Sequence, residues 1–332
     1  LTMKMFVPYV KCDIEEADTL CGKYTCRTAN VKHVCHYCHC PMDQADDPRA
    51  KYKYKTQHEI ESLIAKGKLD QLHDNSQQNI KNAFYPVRFH HANERGIHGA
   101  CPSEMLHALL LGLFKYTRDI FFKNMGEPSQ LARDINGMAQ IYGKLISHQS
   151  DRAMTYTNFT KGIQKGKLMA KKYRGVLLIM AAVLRSTQGR KLLQKKKKFN
   201  KKDGLSDWIL LVETMLEWEA YLCEPKMRRL DLIRLAKKHR IILYIMKSVA
   251  RRAKGMGLKL MKFHAPLHLV EDILLFGVPG EFDTGSNESH HKPTKAAAKL
   301  TQRREINYDY QTAVRLDEFL VIDLAMAEVD QG

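Results

Sequence analysis

Six of the eight cysteines in this chain lie between Cys12 and Cys40, with His33, His36 and His39 among them. That clustering constrains the fold most. Secreted disulfide scaffolds are usually short and cysteine-dense throughout, whereas a local cluster in a large basic chain reads as metal binding in a reducing compartment. The Cys35-x-x-Cys38 pair has the spacing with which two thiolates grip one tetrahedral Zn²⁺. The expected structural zinc ligands are Cys21, Cys35, Cys38 and Cys40, with Cys26 as an alternative. A distant histidine such as His90, His91 or His98 could also supply the remaining position. A redox Cys-x-x-Cys would want a thioredoxin-like pattern around it, and none is evident.

The rest of the chain is read by periodicity. "MKMFVPYVKCD" (3–13) is rich in Phe, Val and Tyr and predicts a strand with Asp13 at its tip. From about residue 56 to 260 apolar residues recur at helical spacing. The sets are Leu131, Ile135, Met138, Ile141, Tyr142 and Leu145; then Val176, Leu177, Met180, Val183 and Leu184. Trp208, Leu211, Val212, Met215, Leu216 and Leu222 form a third, and Leu232, Leu235, Ile242, Ile245, Met246 and Val249 a fourth. Segment 102–122 predicts one helix, and "HAPLHLVEDILLFGVP" (264–279) another, closed by Gly277 and Pro279. Lys292-Pro293-Thr294 predicts the start of a long terminal helix. No apolar run reaches the roughly 18 residues of a membrane span, and the opening residues lack a signal-peptide pattern.

Charge points to a partner. The formal net charge of +18 exceeds what solubility needs and suggests a polyanion, most often nucleic acid. The "KKKKFNKKDG" block holds Lys195, Lys196, Lys197, Lys198, Lys201 and Lys202. It reads first as a solvated loop, and otherwise as a nuclear-import tag or a phosphate-contacting patch. With Lys292, Lys295 and Lys299 it supplies the candidate DNA contacts. Among the acids, Asp13 and Asp18 lie near the first strand, and Glu288 sits in "NESHH" far along the chain. Acids distant in sequence can converge on divalent metal, although strand ends and helix starts more often use them as caps. Glu104 and His107 share a helix face, as a metal pair or as a hydrogen-bonded histidine.

Four stretches carry a resemblance: "VPYVKCDIEEADTLCGKY" with the knuckle after it, "GIHGACPSEMLHALLLGLFKY", "FTKGIQKGKLMAKKYRGVLLIMAAVL" and "KFHAPLHLVEDILLFGVPGEFDTGSNESHHKPTKAAAK". In this order the chain resembles the catalytic region of CACTA-like eukaryotic DNA transposases, including the Plavaka group. The resemblance implies an α/β fold: a partial RNase H-like core (1–20 and 262–325) around a large α-helical insertion (46–261), with a zinc-knuckle-like element at 21–45. It implies Mg²⁺ or Mn²⁺ held by Asp13 and Glu288, with Asp18 as the substitute for Asp13. His291 or His290 matches a histidine after the third acid, and Glu104 with His107 matches the insertion's acid-or-cysteine-x-x-histidine slot. It implies a nuclear protein that cuts and joins DNA, with homodimerisation open. The first acid of the expected triad has no counterpart, so the chain is expected to be an inactive fragment or a decayed copy.

Overall fold

The computed structural model describes residues 7–25, 31–49, 51–89, 93–126, 130–147, 170–199, 204–251, 255–284, 293–294, 296–302 and 305–331. The expected α/β core is not found among the described residues. Helices dominate, and β pairing among the described residues is limited to four isolated bridges: Val7–Phe89, Lys23–Gln77, His33–Pro41 and Cys38–Tyr54. Of the strand expected over 3–13, the described part from Val7 onward does not form, for a backbone reason. Val7 N–H donates to Arg88 O at 3.0 Å, Pro8 has no N–H to give, and Val10 N–H turns to Ala100 O at 2.8 Å. Its backbone bonds go to different segments, so no ladder forms. Asp13 is therefore not a strand tip. Its Oδ1 accepts from the N–H groups of Glu15 and Glu16, each at 2.8 Å, and caps helix α1 (Ile14–Leu20).

The chain divides into two compact units, Leu1–Phe282 and Asp283–Gly332. In the first, α2 (Gln57–Ala65), capped by Thr56, and α3 (Leu69–Asp74) follow the cysteine-rich segment. The predicted helix over 102–122 is real but begins as a π-helical stretch, Leu106–Phe114, before continuing as α4 (Lys115–Met125). A Cβ on Gly112 would lie 2.6 Å from the His107 carbonyl oxygen, so this wide turn needs a glycine there. Helices α5 (Gln130–Ser147), α6 (Ala170–Arg185), α7 (Thr187–Gln194), α8 (Gly204–Leu222) and α9 (Arg229–Val249) complete the body. Most of their described apolar positions bury as the periodicity predicts. Val176, Leu177, Met180, Val183 and Leu184 of α6 are all within the core, as are Trp208, Leu211, Val212 and Met215 of α8. Ile141 is an exception, standing exposed on α5. Edge-to-face contacts of Phe121 with Phe199 and Trp208, both at 5.3 Å, lock α4 to the start of α8.

The expected single helix over 264–279 is broken into α10 (Met261–His264), a 3₁₀ turn (Ala265–Leu267), α11 (Leu269–Phe276) and α12 (Pro279–Phe282). Pro266 lacks the N–H of a continuous helix and sits in the turn. Gly277, at φ 96°, ends α11 as predicted. In the second unit the terminal helix is not continuous: a turn follows Lys299, and the long helix runs over Tyr308–Gln331. No helix among the described residues is long and apolar enough to cross a membrane.

Candidate metal centre

The knuckle is the tip of a small hairpin. Val34 N–H donates to Cys40 O at 3.0 Å and Met42 N–H to Lys32 O at 2.8 Å. Cys35 and Cys38 thus point their sulfurs to one side, and Tyr37 N–H donates to Cys35 Sγ at 3.3 Å. On the other side the break at Pro266 sets His264 and His268 one turn apart. The four groups meet: all their ligand atoms lie within 4.8 Å of one another, and all four residues are buried. Cys35 Sγ is 3.5 Å from His268 Nε2, Cys38 Sγ 3.2 Å from His264 Nε2 and 3.6 Å from His268 Nε2, and the two Nε2 atoms are 3.2 Å apart. A tetrahedral Zn²⁺ with bonds of about 2.3 Å to sulfur and about 2.0 Å to nitrogen requires ligand separations of roughly 3.3–3.8 Å. The quartet therefore has the size of a zinc cage and could hold such an ion. Two thiolates and two neutral imidazoles would exactly neutralise Zn²⁺, which suits a buried centre.

The shell around the ligands is polar and ordered. The Tyr37 ring stacks on His268 at 4.7 Å, and its hydroxyl donates to Cys101 O at 2.6 Å and lies 3.0 Å from Asp272 Oδ2. Asp272 also accepts from Ser103 N–H at 3.0 Å. Burial raises the Asp272 carboxyl to about 7, although the Ser103 bond opposes the rise. Burial raises the Cys35 thiol, while a hydrogen bond from Cys35 lowers that of Cys38. Burial works against protonating His268, but Cys35 and Asp272 more than offset it. Tyr54 lies over the same ring at 5.6 Å, with the Arg95 guanidinium 4.1 Å from the Tyr54 centroid. Ring contacts thus position His268, whereas His264 Nδ1 is buried with no hydrogen-bond partner among the described residues.

Of the expected ligands among the described residues, the structure brings together Cys35 and Cys38. Cys21 ends α1, with its sulfur 3.6 Å from Ile97 O. The Cys40 sulfur lies 3.4 Å from Pro41 O, and neither residue belongs to the quartet. Cys26, His90 and His91 lie outside the described residues, and His98 is buried but does not belong to the quartet. His264 and His268 escape a sequence reading that treats 264–279 as one helix, although the His-x-x-x-His spacing is the signal that could have found them.

The candidate Mg²⁺ acids fare differently. Asp13 caps α1. Asp18 is fully buried, 3.3 Å from Lys23 Nζ and 3.7 Å from His36 Nδ1. Glu104 is buried and accepts from the N–H groups of Leu106 and His107, both at 2.7 Å, and from His107 Nδ1 at 2.5 Å. This is the hydrogen-bonded alternative for the Glu104–His107 pair. All three acids are thus engaged by protein donors, and nothing in these contacts supports Mg²⁺. Glu288, His290 and His291 lie outside the described residues, as do Lys201, Lys202, Lys292 and Lys295. Lys195, Lys197 and Lys198 are exposed in the turn after α7, Lys196 is half-buried there, and Lys299 is exposed in the second unit.

No family model matches the chain, and no curated protein does either.

Proposed function

We propose that this chain is a zinc-stapled DNA-binding protein related to the CACTA-like transposases and acting in the nucleus. The observation that carries the reading is the Cys35–Cys38–His264–His268 quartet. It joins the knuckle that follows the first of the resembling stretches to a histidine pair inside the last. The ion has a structural role here, because four protein ligands leave no open position for a substrate. The chain it staples carries a formal charge of +18, for which a polyanion is the natural partner. The proposal does not extend to phosphodiester cleavage, since Asp13, Asp18 and Glu104 are committed to other bonds.

The test is metal analysis followed by DNA binding on the same preparation. Purified protein should carry one tightly held zinc and bind duplex DNA, with affinity falling linearly on a log scale against salt. Protein that takes up no zinc when zinc is supplied, or that shows no affinity for duplex at about 0.05 M salt, where screening is weak, would refute it.

A further inference from the structure

Helix α9 turns one face inward through Leu232, Leu235, His239, Ile242, Leu243 and Met246. The opposite face, stepping by three or four residues, carries Ile233, Lys237, Arg240, Tyr244 and Ser248, with Arg234 beside it and Arg251 just beyond the helix end; all are exposed. Tyr244 is 71% accessible. The only acid in the helix is Asp231, which is buried and engaged with Arg228 at its N-terminus. Other cations of this segment are spent on neighbours: Lys238 on Glu217, Lys247 on Asp46 at 3.4 Å, and Arg234 on Asp231 at 3.7 Å. Lys237 and Arg240 have no acidic partner among the described residues. Like charges three residues apart on a helix work against it, so packing does not call for this pattern.

We infer that this exposed face of α9 is the surface that docks on the sugar-phosphate backbone of duplex DNA. The inference rests on the proposal that DNA is the partner and says where it binds. Charge complementarity favours the duplex. The helix holds 21 residues, and at 1.5 Å per residue it spans about 32 Å, close to one turn of B-form DNA. Lys237 and Arg240, one turn apart near its middle, can meet neighbouring phosphates, with the Tyr244 hydroxyl as an uncharged donor beyond them.

The experiment is fluorescence anisotropy of a labelled duplex of random sequence against the full zinc-loaded chain, over a salt series. Lys237→Ala/Arg240→Ala should weaken binding about thirty-fold at about 0.15 M salt, since each phosphate contact releases about 0.9 counterions, and should flatten the log–log salt slope by about two. Both side chains are exposed, so the variant should keep its fold, and an unchanged circular-dichroism spectrum with unchanged zinc content verifies that. Tyr244→Phe should weaken binding a few-fold with the slope intact. A double variant that binds like wild type overturns the assignment while leaving DNA binding standing; so does a loss seen only in Lys197→Ala/Lys198→Ala. Absence of duplex binding by wild type, or tighter binding of single-stranded RNA or an acidic protein, overturns the partner itself.

Discussion

Removing the metal should cost this protein a cross-link rather than a contact. The quartet ties Cys38 to His264, 226 residues apart in sequence. Treating the ion as a covalent bridge, closing a loop of that length in the unfolded chain costs about 18 cal/mol/K, or about 5 kcal/mol at 25 °C. The unit Leu1–Phe282 should unfold with an entropy of roughly 0.6 kcal/mol/K, at about 2.1 cal/mol/K per residue. Dividing the two gives a fall in Tm of about 9 °C. The assay is calorimetry on zinc-loaded protein with and without a strong chelator, beside His268→Ala. Chelation should lower the wild-type Tm by about that amount and should leave the variant, which has already lost the bridge, nearly unmoved. If wild type melts at the same temperature with and without the chelator while analysis shows that zinc has left, the four residues do not act as a long-range staple.

Cys38→Ser should abolish tight zinc binding, while Cys21→Ser and Cys40→Ser should retain one zinc per chain by native mass spectrometry. Tyr37→Phe removes the donor facing Asp272 and Cys101 O, at a cost of about 1–3 kcal/mol in chemical denaturation. Asp13→Ala should cost about 1 kcal/mol through lost capping, and Asp13→Asn, an equally good cap, much less. His239, buried and stacked on Trp218 at 5.2 Å, has its pKa lowered to about 3 by burial. Its folded-state pKa is depressed, so the unfolded chain takes up the proton first, and stability is lost as pH falls from about 6.5 toward 3. Between pH 8 and pH 5 that loss is about 2 kcal/mol, and His239→Phe should flatten this part of the stability–pH curve.

Much of the helical body was legible because its signal is local and repeated. Leu177, Met180 and Leu184 recur with the period of the helix they form, and each buries for the reason the pattern gives. The π-turn at the start of the α4 region is not periodic in that sense; it depends on the close approach at Gly112. The strand expected before Asp13 had the right composition, but composition cannot say whether a neighbouring edge exists to receive its N–H groups, and here the bonds scatter. Half of the metal centre was legible for a related reason. Cys35 and Cys38 sit on one turn, so their spacing alone marks them as a candidate ligand pair.

The sequence by itself thus determined the helices, the basic charge and the two-cysteine knuckle, because each is written in residues a few positions apart. Only the tertiary structure decided that His264 and His268, and not Cys21 and Cys40, complete the cage, and that Asp13 caps a helix. Those outcomes depend on which distant segments pack against one another, and that choice is made by the whole core, through the summed burial of side chains that no short window contains.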